Sequence, residues 1–156
     1  MSAVSVANTA TIAAVNENNT LLVILGNSSS SAGSTTEYAF ARLSISGTTL
    51  TATRPGGGTT LTTSYEVIEF EPGVLKSVQR TYTSVTPNGT ATATLTAVNT
   101  AKSTVQCIGI TGDLNVFNGS YWSFGQLTNA TTITYTSVHT LGGLGYVFSA
   151  QTVEFF

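Results

Sequence analysis

The chain repeats itself, and no other feature limits its fold as strongly. Thr9-Ala10-Thr11-Ile12-Ala13-Ala14-Val15-Asn16 returns as Thr92-Ala93-Thr94-Leu95-Thr96-Ala97-Val98-Asn99, and the same offset of 83 carries on to pair Gly26 with Gly109. Seven of those 18 positions are identical. Farther on, Phe40-Ala41-Arg42-Leu43 aligns with Phe124-Gly125-Gln126-Leu127, and Thr49-Leu50-Thr51 with Thr132-Ile133-Thr134. Ile68-Glu69-Phe70 then aligns with Val153-Glu154-Phe155. Threonine-rich composition could imitate one short match, but not a series kept in order across a whole half. The sequence therefore divides into a first β repeat, residues 1–72, and a second, residues 73–156.

No stretch carries apolar residues at helical spacing. Thirty threonines among 156 residues favour extended backbone, because a β-branched side chain packs well on a pleated surface. Five strands are expected in each half: 9–15, 20–26, 37–46, 48–53 and 63–70, then 90–98, 104–110, 120–127, 131–138 and 145–155. Ser46-Gly47, Pro72-Gly73, Pro87-Asn88-Gly89 and Asn118-Gly119 supply the turn chemistry between them. An extra strand over 74–85 opens the second half. The expectation is an all-β chain of tandem-duplicated antiparallel β-sandwich or barrel halves, jelly-roll-like in character.

Two differences between the halves bear on assembly. Leu22 and Ile24 align with Val105 and Cys107, a core face common to both halves, so Cys107 is expected to be a small buried apolar residue. The opposite face is Leu21, Val23 and Leu25 in the first half but Thr104, Gln106 and Ile108 in the second. Side chains alternate along a strand, so the first-half strand should be covered on both sides, by the second half or by another subunit. The strand over 74–85 has no counterpart before Thr9, which leaves the first half one strand short. That open edge should be closed by the linker strand or by a neighbouring chain. Leu21, Val23, Leu25, Val74, Lys76, Val78 and Arg80 are the candidate interface.

Charge and motif content narrow the function classes. A net charge of -2 with five scattered Lys and Arg gives no footprint for nucleic acid or an anionic membrane. One cysteine excludes an internal disulfide and a cysteine-based zinc site. Residues 1–14 have neither the basic start nor the apolar segment of a signal peptide, and the run Leu21 to Leu25 is too short to span a bilayer. Synthesis in a cytoplasm is expected. Charged residues make up only 8%, against roughly 25% in ordinary soluble domains, which suits a surface docked in an assembly.

No catalytic, cofactor or metal site is expected. His139 is the only histidine, and Gly-x-Ser-x-Gly is absent. The glycine-rich run Arg54-Pro55-Gly56-Gly57-Gly58 lacks the lysine and spacing of a phosphate loop. Glu66, Glu69 and Glu71 invite a paired-acid reading. Yet Glu69 recurs as Glu154, whereas Glu66 becomes Gln151 and Glu71 becomes Phe156. A repeated Glu69 is expected to be structural, through an ion pair or a backbone-capping contact with Arg80 or Arg42. Tyr121-Trp122-Ser123-Phe124 is the aromatic high point, and Tyr121 and Trp122 are the candidate glycan contacts.

The stretch Glu66-Val67-Ile68-Glu69-Phe70-Glu71-Pro72-Gly73-Val74-Leu75-Lys76-Ser77-Val78-Gln79-Arg80 resembles small β-rich virion proteins of tailed bacteriophages. Their V-x-E-F-x-P-G-V-x-x-S-V-Q-R run is followed by a Thr/Ser-rich repeat ending like Ala97-Val98-Asn99-Thr100-Ala101-Lys102. The usual glycine after Gln-Arg is Thr81 here. The likeness covers residues 64–110 and, through the repeat, the remainder more weakly. It implies a non-enzymatic virion protein, foremost a capsid decoration or cement protein forming a homo-oligomer, with a trimer expected, on the major capsid protein. The alternative it implies is a receptor- or glycan-binding module of a tail fibre or spike.

Overall fold

The computed structural model describes residues 6–29, 41–54, 61–86, 88–112, 122–138 and 146–156. They form strands β1 (Val6–Thr11), β2 (Thr20–Ser29), β3 (Arg42–Ser46), β4 (Thr49–Arg54), β5 (Leu61–Glu69) and β6 (Leu75–Val85). β7 (Thr90–Thr94), β8 (Ser103–Gly112), β9 (Trp122–Asn129), β10 (Thr132–Val138) and β11 (Tyr146–Phe155) follow. Two 3-10 turns, Glu17–Asn19 and Thr100–Lys102, precede β2 and β8. The sequence pattern missed both turns and ran the expected strand 90–98 through one approach, because Leu95 and Val98 remain buried after the strand has ended.

Alternation explains most of these strands. In β10, Ile133, Tyr135 and Ser137 are buried between half-buried threonines, the period-two pattern of a strand with one face on a core. β3 buries Leu43 and Ile45 and exposes Ser44 and Ser46. Between β5 and β6, Val74 donates its N–H to the Glu71 carbonyl at 3.2 Å across Pro72-Gly73. Gly73 has φ 90, so this corner needs a residue at ease in the left-handed region, with proline ahead of it.

The order of elements in the first half recurs in the second, and so do the pairings. β1-β4-β3 corresponds to β7-β10-β9, and β2-β5 to β8-β11. Registers recur as well: Thr20 lies opposite Glu69 as Ser103 lies opposite Glu154, and Leu22 opposite Val67 as Val105 opposite Thr152. Both pairs carry a bulge at the same place, leaving Leu25 and Ile108 as the extra residues. One detail of the sequence alignment is corrected by the ladders. Arg42 lies opposite Thr53, and Phe124 opposite Thr136, so Phe124 rather than Gln126 stands at Arg42's place; a bulge near Thr132 absorbs the slip.

The halves are not separately closed jelly rolls. One six-stranded sheet, β1-β4-β3-β8-β11-β6, runs through both, and the remaining strands form a three-stranded sheet β7-β10-β9 and a two-stranded sheet β2-β5. Leu22, Leu43, Ile45, Leu50 and Ile108 make one core between β2-β5 and the first-half part of the large sheet. Val85, Leu95, Ile133, Tyr135, Phe148 and Ala150 make the second. Each such aliphatic side chain, once buried, contributes about 1.5–3 kcal/mol. A third cluster, Leu75, Val78 and Val153 with Leu21 and Phe70, joins the halves.

The junction of the large sheet is narrow. Among the described residues, Arg42 of β3 with Gly109 of β8 is the single register pair between those strands. Gly109 has φ 138, and a Cβ there would lie 2.4 Å from both the Ala41 carbonyl oxygen and the Arg42 Cα. Only glycine lets the two backbones come this close.

Candidate functional site

The described polar groups converge where β2 meets the face of β6-β11-β8. Arg80 lies opposite Gln151, and Gln151 opposite Gln106, so three long polar side chains stand in one row across three strands. Gln151 Oε1 accepts the Leu22 N–H at 3.1 Å, and Gln151 Nε2 donates to the Leu22 carbonyl at 2.8 Å. The same amide donates to Gln106 Oε1 at 2.8 Å. Arg80 donates to the Glu17 carbonyl at 3.2 Å and to the Thr20 carbonyl. Side chains thus satisfy a β2 edge that no strand pairs among the described residues, meeting the demand that buried backbone groups be bonded. Burial pulls the Arg80 pKa down from its ordinary value, and nearby Glu17 partly restores it.

The neighbouring row is Arg42, Gly109, Ser149 and Tyr82. Because Gly109 and Ser149 are small, the Arg42 side chain reaches across them, and its guanidinium sits 5.0 Å from the centre of the Tyr82 ring. Beside this row is a cleft of about 320 Å3 whose lining includes Arg80, Tyr82, Ser149, Leu43, Ile45 and Ile108. Ser149 is buried, and its hydroxyl has no hydrogen-bond partner among the described residues.

The expected interface residues divide into two groups. Leu21 packs on Leu75, Val78 and Val153, so the second half covers the Leu21 end of that face of β2. Val78 is 6% exposed and belongs to this internal cluster. Lys76 pairs with Glu154 at 2.9 Å, and Arg80 latches onto the first half. Val23 is half-buried, while Leu25 at 58% and Val74 at 42% stay exposed. Tyr121 lies outside the described residues, as do His139 and residues 55–60, and for Trp122 only the strand position is described.

The repeated glutamate is a backbone cap, and its partner is not the arginine expected. Glu69 Oε1 accepts the Asn16 N–H at 2.6 Å, and Glu154 Oε1 accepts the Asn99 N–H at 2.9 Å. Asn16 and Asn99 each cap the 3-10 turn that follows, through Asn18 N–H and Ala101 N–H. Glu154 differs in being buried and in adding Lys76 and Ser77. The Asn99 N–H, and next the Lys76 hydrogen bond, hold its carboxyl below the ordinary glutamate value.

Cys107 is exposed rather than buried. It borders a cavity of about 200 Å3 together with Val105, Tyr135 and Phe148. Burial nearby still pushes the thiol pKa up. Sequence reasoning also missed Gln151 and Gln106 as participants. The available signal was a glutamine on a strand whose neighbours, Ala150 and Val153, are apolar.

The edges differ most. β11, flanked by β6 and β8, is buried without a break from Phe148 to Glu154. β5, its counterpart, has no fully buried residue and pairs only with β2 among the described residues. The linker strand β6 pairs with β11, so it does not close the first-half edge as one expectation had it. Among the described residues, no helix is long and apolar enough to cross a membrane, and no group of three or more His, Cys, Asp or Glu is placed to hold a metal ion. No protein-family model, curated protein or solved structure matches the chain.

Proposed function

We propose that this chain is a non-enzymatic structural protein of a tailed-phage particle, a head decoration or cement protein that attaches by strand addition to β5. The observation that carries this reading is the contrast between β11 and β5. The place that β6 fills beside β11 is vacant beside β5 among the described residues, and a partner's extended segment would fill it in the same way. Backbone hydrogen bonds then supply affinity, and flanking side chains supply choice of partner. The likeness of Glu66 to Arg80 to virion proteins supports the phage setting, and the sparse charge supports docking.

The geometry also supplies the test. Leu22 turns its N–H and carbonyl to Gln151, so Val67, opposite it, turns its own backbone groups outward. Val67→Pro removes an outward donor without touching the β2 ladder. Wild-type chain should co-sediment with tailed-phage capsids stripped of their decoration protein, and folded Val67→Pro should not. Binding that survives this change would sink the β5 reading, and a wild type indifferent to such capsids would sink the head assignment.

A further inference from the structure

We infer that the Leu25–Gly26 bulge of β2 receives the β9 edge of a second copy of this chain, so that copies join head to tail. This deepens the assembly reading above and rests on it, but it uses a different edge.

The template lies inside the molecule. At the equivalent bulge of β8, Ile108 is 2% exposed and is seated in the first-half core with Leu43 and Ile45. The next residue, Gly109, lies against Ala41 and Arg42 at the start of β3. In β2 the same two positions hold Leu25 and Gly26, and neither makes such a joint among the described residues. Leu25 is 58% exposed, and among the described residues nothing lies within 4 Å of where a Gly26 Cβ would be. An aliphatic residue and a glycine thus stand ready at the place where the second half makes its joint.

The matching donor edge is also unpaired among the described residues. β9 occupies the place of β3 in its half, with Phe124 where β3 has Arg42. β3 has β8 on its far side, whereas β9 ends its sheet among the described residues. A second copy offers both missing members at once: its β2 can meet this chain's β9, and its β9 can meet another β2. Such a contact is heterologous, giving a closed ring or an open series according to the rotation between copies.

Sedimentation velocity of the full chain over a concentration series, up to millimolar, tests this. The wild type should form dimers and larger species. Leu25→Asp should weaken self-association at least about tenfold, as expected for a charge placed at the centre of a small interface. Gly26→Ala should do the same, because a Cβ in Gly109's setting meets backbone. Both should keep the wild-type circular dichroism and melting temperature, since neither position is packed. Labelled Leu25→Asp keeps its β9 and should enter wild-type oligomers as a terminator that shortens them. A wild type monomeric throughout would overturn the proposal, and so would exclusion of the labelled variant, which would indicate two-fold pairing instead. Val67→Pro should oligomerise like wild type, which separates failure of this joint from failure of capsid attachment.

Discussion

Gln151 takes the place of a strand beside Leu22. Its side-chain amide accepts from the Leu22 N–H at 3.1 Å and donates to the Leu22 carbonyl at 2.8 Å, with both residues fully buried. Gln79 does the same for Thr96, accepting its N–H at 2.7 Å and donating to its carbonyl at 3.0 Å. Gln151→Leu keeps the volume but strands both Leu22 groups and Gln106. The expected loss is about 2–5 kcal/mol, given the cost of leaving buried partners unsatisfied. Urea unfolding measures it, and exchange of the Leu22 amide should quicken. Gln79→Leu lies at an exposed contact and should cost less.

Gly109 and Gly26 hold the same position in their halves but should respond oppositely to alanine. Gly109→Ala forces a left-handed backbone and a 2.4 Å approach to Ala41 and Arg42. It should cost about 2–5 kcal/mol, combining backbone strain with steric overlap. Gly26→Ala has open space and should change the urea midpoint little. Equal losses at the two sites would contradict the docking of β3 on β8.

Glu154 should give the protein an acid-sensitive component. Its carboxyl is held ionised in the fold, so its stabilisation is present above the ordinary glutamate value near 4.5 and is lost as pH falls through the depressed folded value. Urea midpoints measured from pH 7 downward should therefore drop below about pH 4.5. Glu154→Gln should start from a lower midpoint and show a shallower drop.

Ser149→Ala should be neutral or stabilising. The hydroxyl is buried without a partner among the described residues, and removing an unsatisfied polar group relieves a cost of about 1–3 kcal/mol. A clear fall in melting temperature would mean that the hydroxyl is bonded in solution.

Much of this architecture was legible in the residues. The match that runs from Thr9 to Gly26 and from Thr92 to Gly109 located β2 and β8 closely. It located β1 and β7 only in part, since the strands expected over 9–15 and 90–98 end at Thr11 and Thr94. The recurrence of Glu69 as Glu154 marked a structural group. The partner of that group escaped, because a backbone N–H carries no sequence signature. The continuous six-stranded sheet escaped for a similar reason. It depends on a close approach at Gly109, and Gly26 looks identical in the sequence although a Cβ there would meet no described atom within 4 Å. Cys107 was misread because its apolar neighbours in sequence say nothing about the cavity it borders in the fold. The contrast between β5 and β11 came from topology: Val67 and Thr152 have similar strand character, and only the strand beside each one sets its burial.

The large sheet also bears on how the chain comes apart. Ile108 sits in the core of the other half, Leu21 in the cluster of β6 and β11, and Gln151 on the edge of β2. A cut at Pro72-Gly73 would therefore not release two independent folding units. Fragments 1–72 and 73–156 should each remain molten alone and regain structure only when mixed, and the intact chain should melt in a single calorimetric step.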